Sequence, residues 1–444
     1  MRRILLSVAL IASAAQPTLA QTMRDRVAQL FIFGSGSNPL FLGGTADPNN
    51  PAAIRAHGEH FVPSAVSQNG SIITFLTAAV GQSVSTVPIG ASSSGETFRF
   101  EGGVPVKTST SAGPILAERS QTLGRGRAIV GVGNTRLPFS TLRGQDLGNL
   151  ELFFTHQNVN FPGCDSTFGG DCSKMGFPGL ENETIHVRLN VSMDVSTTVF
   201  YATYGLLDNL DIGLVLPLVT THFQGISEAQ IIPFGGTTAT HFFAGTPAAP
   251  VLSANRFVSG SAFGVGDVAV RAKALIRQTA KTSVALFGDA RFATGDEADL
   301  LGAGYFSARG LGVLTGQFGQ FSPHVNAGYL YRNSETATDA VLATIGFDQL
   351  LASNVTLAVD MLNAFQVGEN KLRLPQPVTI DVPFQRVIQP TSIPELRDDI
   401  VDGSLGFKFT HSSGVTGIAN VLVPLNVGGM RGRSTFTLGL EYAF

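Results

Sequence analysis

The chain contains no tryptophan, only two cysteines and little charge for its 444 residues. Charged residues make up 14% of it, against about 25% in ordinary soluble domains. The net charge of −3 suggests neither a nucleic-acid partner nor an anionic surface. Cys164 and Cys172 stand in "GCDSTFGGDC" without further cysteine or histidine close by, the nearest being His156, so a metal site is not indicated. In an exported chain such a pair reads as a disulfide pinning a long loop, with two free thiols as the alternative. No GxxxxGK[ST] occurs, and no βαβ unit surrounds "GVGD" or "GLGV", so no phosphate loop is present. No GxSxG elbow occurs and the eight histidines are scattered, so no catalytic residue is assigned and a membrane-embedded hydrolase is a remote reading. After the first twenty residues, no apolar run approaches the roughly 20 residues of a helical membrane span.

Those first residues are of another kind. "MRR", then "ILLSVALIASAA", then "PTLA" have the basic, apolar and small-residue order of a secretory signal peptide, residues 1–20, cut after about Ala20. The chain is therefore read as exported, and no cysteine follows the cut to carry a lipid anchor.

What the remainder does contain is alternation. In "IHVRLNVSMDVSTTVFYATYG", Val187, Leu189, Val191, Met193, Val195, Val199 and Tyr201 share one face, and Arg188, Asn190, Ser192 and Asp194 the other. Period two over that length predicts a strand far longer than the usual five or six residues. The pattern recurs in "DVAVRAKALIR", "SVALFGDARF", "HVNAGYLYR", "NVTLAVDM", "SLGFKFT" and the closing "STFTLGLEYAF". A sandwich also has one wet and one dry face. Three features favour a membrane barrel instead: connections that alternate short and long, tyrosines near strand ends (Tyr201, Tyr204, Tyr329, Tyr331, Tyr442), and a final apolar strand ending on Phe444. Lipid would cover the apolar face, and closure would satisfy every backbone group.

The fold expected is an all-β transmembrane antiparallel barrel over 123–444. Its twelve strands fall near 127–139, 183–205, 208–222, 263–277, 281–293, 304–317, 321–333, 338–350, 354–367, 397–411, 414–425 and 433–444. A hairpin within 95–122 would make fourteen, residues 145–157 read as an extracellular strand extension, and 223–262 and 368–396 read as long external loops. Residues 21–122 form a separate N-terminal segment, in which Ile72, Ile73, Leu76, Ala79 and Val80 have helical spacing. Partial occupation of the lumen is the favoured reading, beside a periplasmic domain or a disordered leader.

Arg188, Arg271, Lys273, Asp289, Arg291, Asp360 and Lys408 fall on polar faces and are expected to point into the lumen. They either set selectivity or pair across the ladder, Arg271/Lys273 with Asp289/Arg291, and fill the interior. Asp296, Glu297 and Asp299 in "TGDEADLLG" are a Ca²⁺-site candidate. Their spacing lacks the EF-hand positions, so a solvated turn is the simpler reading and no metal or other cofactor is assigned.

At "GVGDVAVRAKALI", "FATGDEADLLGAG", "GQFGQFSPHVNAGY" and "NVTLAVDML" the chain resembles the bacterial outer-membrane transporters grouped under the meta-pathway of phenol degradation. Those look like distant relatives of the long-chain fatty-acid channels. The resemblance runs from about Ala117 to Phe444 and is most specific over 263–329. It implies a barrel with an N-terminal segment in or near the lumen, passing small apolar or aromatic molecules, and it carries over no binding residue. The partners expected are the lipid bilayer, the outer-membrane assembly machinery reading the strand that ends at Phe444, and such solutes. "FFTHQNVNFPG" and "THFFAG" would offer an external capture surface or interfacial anchors. A surface barrel with a blocked lumen is the alternative function.

Overall fold

In the computed structural model, residues 21–33, 40–41, 75–83, 98–101, 104–107, 111–155, 184–233, 243–246, 248–372, 374, 376–380 and 385–444 are described. The signal segment, Cys164 and Cys172 lie outside them.

Twelve antiparallel strands close into a barrel. They are β1 (Ala128–Leu142), β2 (Thr184–Leu207), β3 (Leu210–Ile232), β4 (Ala269–Gln278), β5 (Thr282–Arg291) and β6 (Ser307–Gly316). β7 (Phe321–Arg332), β8 (Ala340–Ala352), β9 (Val355–Gln366), β10 (Ile400–Thr410), β11 (Val415–Pro424) and β12 (Thr435–Ala443) complete it. Each pairs with the next, and β12 pairs with β1, which leaves the barrel without a free edge inside the bilayer. The seam continues beyond the last strand: Ala128 N donates to Phe444 O and Phe444 N to Ala128 O, both at 2.9 Å.

Most strands have 10 to 13 residues, or about 33–43 Å of chain, which when tilted matches an apolar band about 25 Å tall. The outward positions carry that band: Val270, Leu286, Leu314, Ile345, Leu405 and Leu438 are all exposed on the protein surface. Tyr204, Tyr329, Tyr331 and Tyr442 are exposed as well. Tyr201 departs from the expected girdle, because it faces inward and its hydroxyl donates to Glu441 Oε2 at 3.1 Å.

β2 and β3 have 24 and 23 residues, about twice what a crossing requires. Their outer halves rise above the bilayer, joined by the strands Ser253–Val265 on β3 and Leu150–Thr155 on β2. The expected loop 223–262 is thus largely sheet, and β3 runs ten residues past the sequence-based limit. The free edge of Leu150–Thr155 is covered by the long connection before β10, with Phe153 N donating to Pro390 O and Ser392 N to Glu151 O. The hairpin within 95–122 forms as Phe98–Glu101 and Val104–Lys107 but pairs only with itself, so the barrel sheet keeps twelve strands.

Above the bilayer the polarity of the wall reverses. Ile185, Val187, Leu189, Met193 and Val195 of β2 point inward and are buried, as are Val219 and Phe223 of β3. They pack against α1 (Met23–Gln29), whose Met23, Val27 and Ala28 are buried. Thr22 caps α1 in a reciprocal box with Asp25. Ser227 Oγ donates to Leu30 O at 2.6 Å, and Arg256 Nε to Ile32 O at 2.7 Å. A dry core therefore sits in a dome above the membrane, while the barrel below it has a wet interior.

Placing a cation on the lipid face should cost about 2–4 kcal/mol at mid-bilayer depth. Leu286→Arg, at a position 57% exposed on the outer wall, is expected to lower the unfolding free energy of the refolded barrel by that amount, read as a lower urea midpoint at an unchanged m-value. An unchanged midpoint would mean that this face does not meet lipid.

Candidate functional site

The lumen is built from the inward face of each strand and from chain that enters before β1. Residues 111–127 run around the inner wall at the short-turn end of the barrel, as a strap. Ser111 Oγ donates to Asp348 Oδ2, and Ala112 N donates to Thr356 Oγ1 at 3.0 Å. Lys408 Nζ donates to Ala112 O at 3.3 Å. Further along, Glu118 N donates to Asn326 Oδ1 and Asn326 Nδ2 returns a bond to Glu118 O, both at 2.8 Å. Ser120 N donates to Thr315 Oγ1 at 3.0 Å, and Leu123 N bonds to Asp211 at 3.1 Å. The strap then joins the wall, with Gly126 N donating to Gly205 O at 2.8 Å. A Cβ on Gly205 would lie 1.9 Å from Gly124 O, so only glycine lets the strap approach the wall here. Polar side chains on five strands (Asp211, Thr315, Asn326, Thr356 and Lys408) thus satisfy backbone that would otherwise be buried without partners.

Six of the seven candidates lie in this interior. Arg271 and Asp289 face each other across β4 and β5, with Arg271 Nε donating to Asp289 Oδ2 at 3.0 Å. Arg309 on β6 lies opposite Asp289 on the other side, 3.7 Å away, with its guanidinium 5.2 Å from the Phe287 ring centroid. Arg291 lines the cavity described below. Lys273 pairs at 4.0 Å with Glu118 of the strap. Asp360 Oδ1 is 2.7 Å from His324 Nε2, and Asp348 Oδ1 is 3.6 Å from Nδ1. Gly346 leaves room for that pair, since a Cβ there would lie 2.2 Å from Asp360 Oδ1.

Arg188 is the correction. It points outward from the dome, exposed, and lies 3.6 Å from Glu228. Its strand was read with lipid-type parity, whereas outside the bilayer the apolar face must turn to the protein core and the polar face to water.

The acidic loop also has a structural assignment. Asp299 Oδ1 accepts from Met23 N at 3.1 Å, and Glu297 pairs with Arg24. Asp296 Oδ1 accepts from Ala298 N and Asp299 N within its own turn. The three carboxylates hold α1 and the loop, and among the described residues no metal-type cluster forms. Phe154 and Phe243 are buried in the dome core and cannot serve as a capture surface; the rest of "THFFAG" up to Phe242 lies outside the described residues.

Above the strap lies a cavity of about 260 Å³. Leu116 and Glu118 of the strap form its floor, and Phe75, Ala79, Gln82 and Ser83 of a helix over 75–83 line it from the dome side. The ring of Phe75 lies 4.8 Å below the guanidinium of Arg143, which pairs with Asp398 through two bonds of 2.8 Å. One wall is largely aliphatic, with Leu342, Leu362, Ala364, Ile400 and Leu422 beside Thr344, Asn363 and Asp402; the other carries Asp289, Arg291, Arg309 and Arg332. The sequence reading missed Arg309 and Arg332. Arg309 shares its inward parity with the buried Leu311 and Val313, and glycines hold the outward positions 310 and 312, so "ARGLGV" lacks the alternation that marked its neighbours.

No known protein family matches the sequence, and no curated protein does. Several solved structures are similar to it in fold. An outer membrane channel from Pseudomonas putida F1 is 10% identical, with 73% of this chain and 98% of that chain covered and a TM-score of 0.40. A Pseudomonas aeruginosa FadL homologue is 10% identical over 71% of this chain and 90% of its own, with a TM-score of 0.30. A deltaS2 mutant of the monoaromatic hydrocarbon channel TodX is 11% identical over 73% and 92%, with a TM-score of 0.33.

The strap is only as firm as its side-chain anchors. Asn326→Ala removes both bonds to Glu118, and should lower the local opening free energy by about 1–3 kcal/mol. Hydrogen exchange at the Glu118 amide should accelerate accordingly, while amides in β7 and β8 keep their protection.

Proposed function

We propose that the protein is an outer-membrane channel through which small hydrophobic or aromatic molecules diffuse without an energy source. The observation that carries this reading is the cavity in mid-lumen, half aliphatic and half polar, between the strap below and the helix over 75–83 above. An amphiphilic chamber of this kind suits a solute that is mostly apolar with a polar end. A purely structural barrel has no need for it and would fill the space with side chains. Passage in this reading involves no bond making. The polar wall orients the solute and the strap restricts the exit, so flux depends on how often the strap loosens.

The division of the chain follows the same reading. Residues 1–20 export the protein, 21–122 supply the luminal plug and the dome filling, and 123–444 form the barrel. The strand ending at Phe444 is the segment the assembly machinery would read, and Cys164 and Cys172 would brace an external loop. The resemblance to the transporters of the phenol-degradation meta-pathway supports an aromatic solute.

Solute entry into proteoliposomes tests the proposal. Small aromatic compounds should enter faster with the full chain than without it, and Asn326→Ala should increase the rate further. Equal entry with and without protein would overturn the channel reading.

A further inference from the structure

The charges of the lumen are not evenly matched. Arg143 pairs with Asp398, Arg431 with Asp402, Lys273 with Glu118, and His324 lies between Asp348 and Asp360. One wall of the cavity departs from this rule. In the sheet register Arg271, Asp289 and Arg309 stand opposite one another on β4, β5 and β6, so one carboxylate serves two guanidiniums. Arg291 follows two residues along β5 and adds a third. Asp267 adds a second negative charge near it, with its oxygens held by Gly295 N at 3.1 Å and Ala303 N at 2.8 Å, so three guanidiniums face two carboxylates. Arg332 lines the same wall with an acid of its own, its backbone N donating to Asp339 Oδ1 at 2.7 Å and its Nη1 to Thr338 O, so the surplus lies at Arg291 and Arg309. Arg309 Nε is buried and takes no hydrogen bond.

Surplus positive charge in a confined interior is costly unless an anion meets it, and guanidiniums meet carboxylates through paired, planar hydrogen bonds. The facing wall is largely aliphatic, and the one carboxylate it carries, Asp402, is already paired with Arg431. We infer that Arg291 and Arg309 form an anion subsite, and that the molecule this cavity takes is a small carboxylate with an apolar or aromatic body. Its charged end lies against β5 and β6 and its body against β8 to β11. The volume, about 260 Å³, falls just below that of drug-sized ligand sites, about 300–1,000 Å³, which suits a single ring better than a long acyl chain. This inference rests on the channel reading and gives it a substrate class.

Calorimetric titration of the detergent-solubilised full chain with benzoate and with its neutral isostere benzamide tests it. Benzoate should bind about tenfold or more tightly than benzamide, the size of one charge-assisted contact. Arg291→Gln and Arg309→Gln should remove that preference, and Arg309→Lys, which keeps the charge but not the planar fork, should keep part of it. Heat-modifiable migration would show that each variant is folded, and the wild-type comparison needs no variant at all. Equal binding of the two compounds would overturn the anion subsite and leave the apolar channel standing. A benzoate preference indifferent to both glutamine variants would place the anion elsewhere and overturn it too. Binding of neither compound would overturn both readings.

Discussion

In hydrocarbon a backbone N–H or C=O has no water to turn to, and that one constraint governs the whole molecule. It forces the sheet to close, with the reciprocal bonds of Ala128 and Phe444 finishing the seam. Closure in turn fixes a lumen of set width, and the inner faces of the strands must then be polar, paired or filled. The strap answers that demand. Its backbone is satisfied by Asp211, Thr315, Asn326 and Thr356, and what it leaves open above itself is the cavity.

The same sheet meets two solvents along its length. On the outer face of β3, Ile212, Leu214 and Leu216 give way to His222, Gln224 and Glu228, all on the same parity and all exposed. On β2 the change falls where Thr198 is followed by Phe200. Below that level water is inside and lipid outside; above it, water is outside and an apolar core inside. Neither the dome nor the channel interior is a continuation of the other's chemistry, although two strands run through both.

This reversal explains what the amino-acid pattern disclosed and what it hid. β4 to β12 were legible because each lies wholly in one regime, so alternation reports the lipid face directly. Lys273, Asp289, Asp360 and Lys408 are buried in the lumen as that parity requires. Arg188 was misplaced because its strand changes regime midway. The change leaves a mark, since in "TTVFY" both faces become apolar at Val199 and Phe200. The outer part of β3 was hidden by glycine and polar residues in "FQGISEAQII", which look loop-like until one knows that their apolar partners lie on α1. The strap has no periodicity, because its bonds go to side chains of other strands rather than to a neighbouring ladder. Its position could not have been read locally.

The strap runs directly into β1, and β1 is the strand against which β12 closes. A segment attached at that point and bonded to the inside of β7, β8 and β10 would, on entering a finished cylinder, have to find all of those contacts within a closed lumen. The simplest order is for the growing sheet to roll around the segment, with the seam sealed last. The interior is then a mandrel for the wall as well as an obstruction within it, and changes that weaken the lining should be felt first in how quickly the cylinder forms.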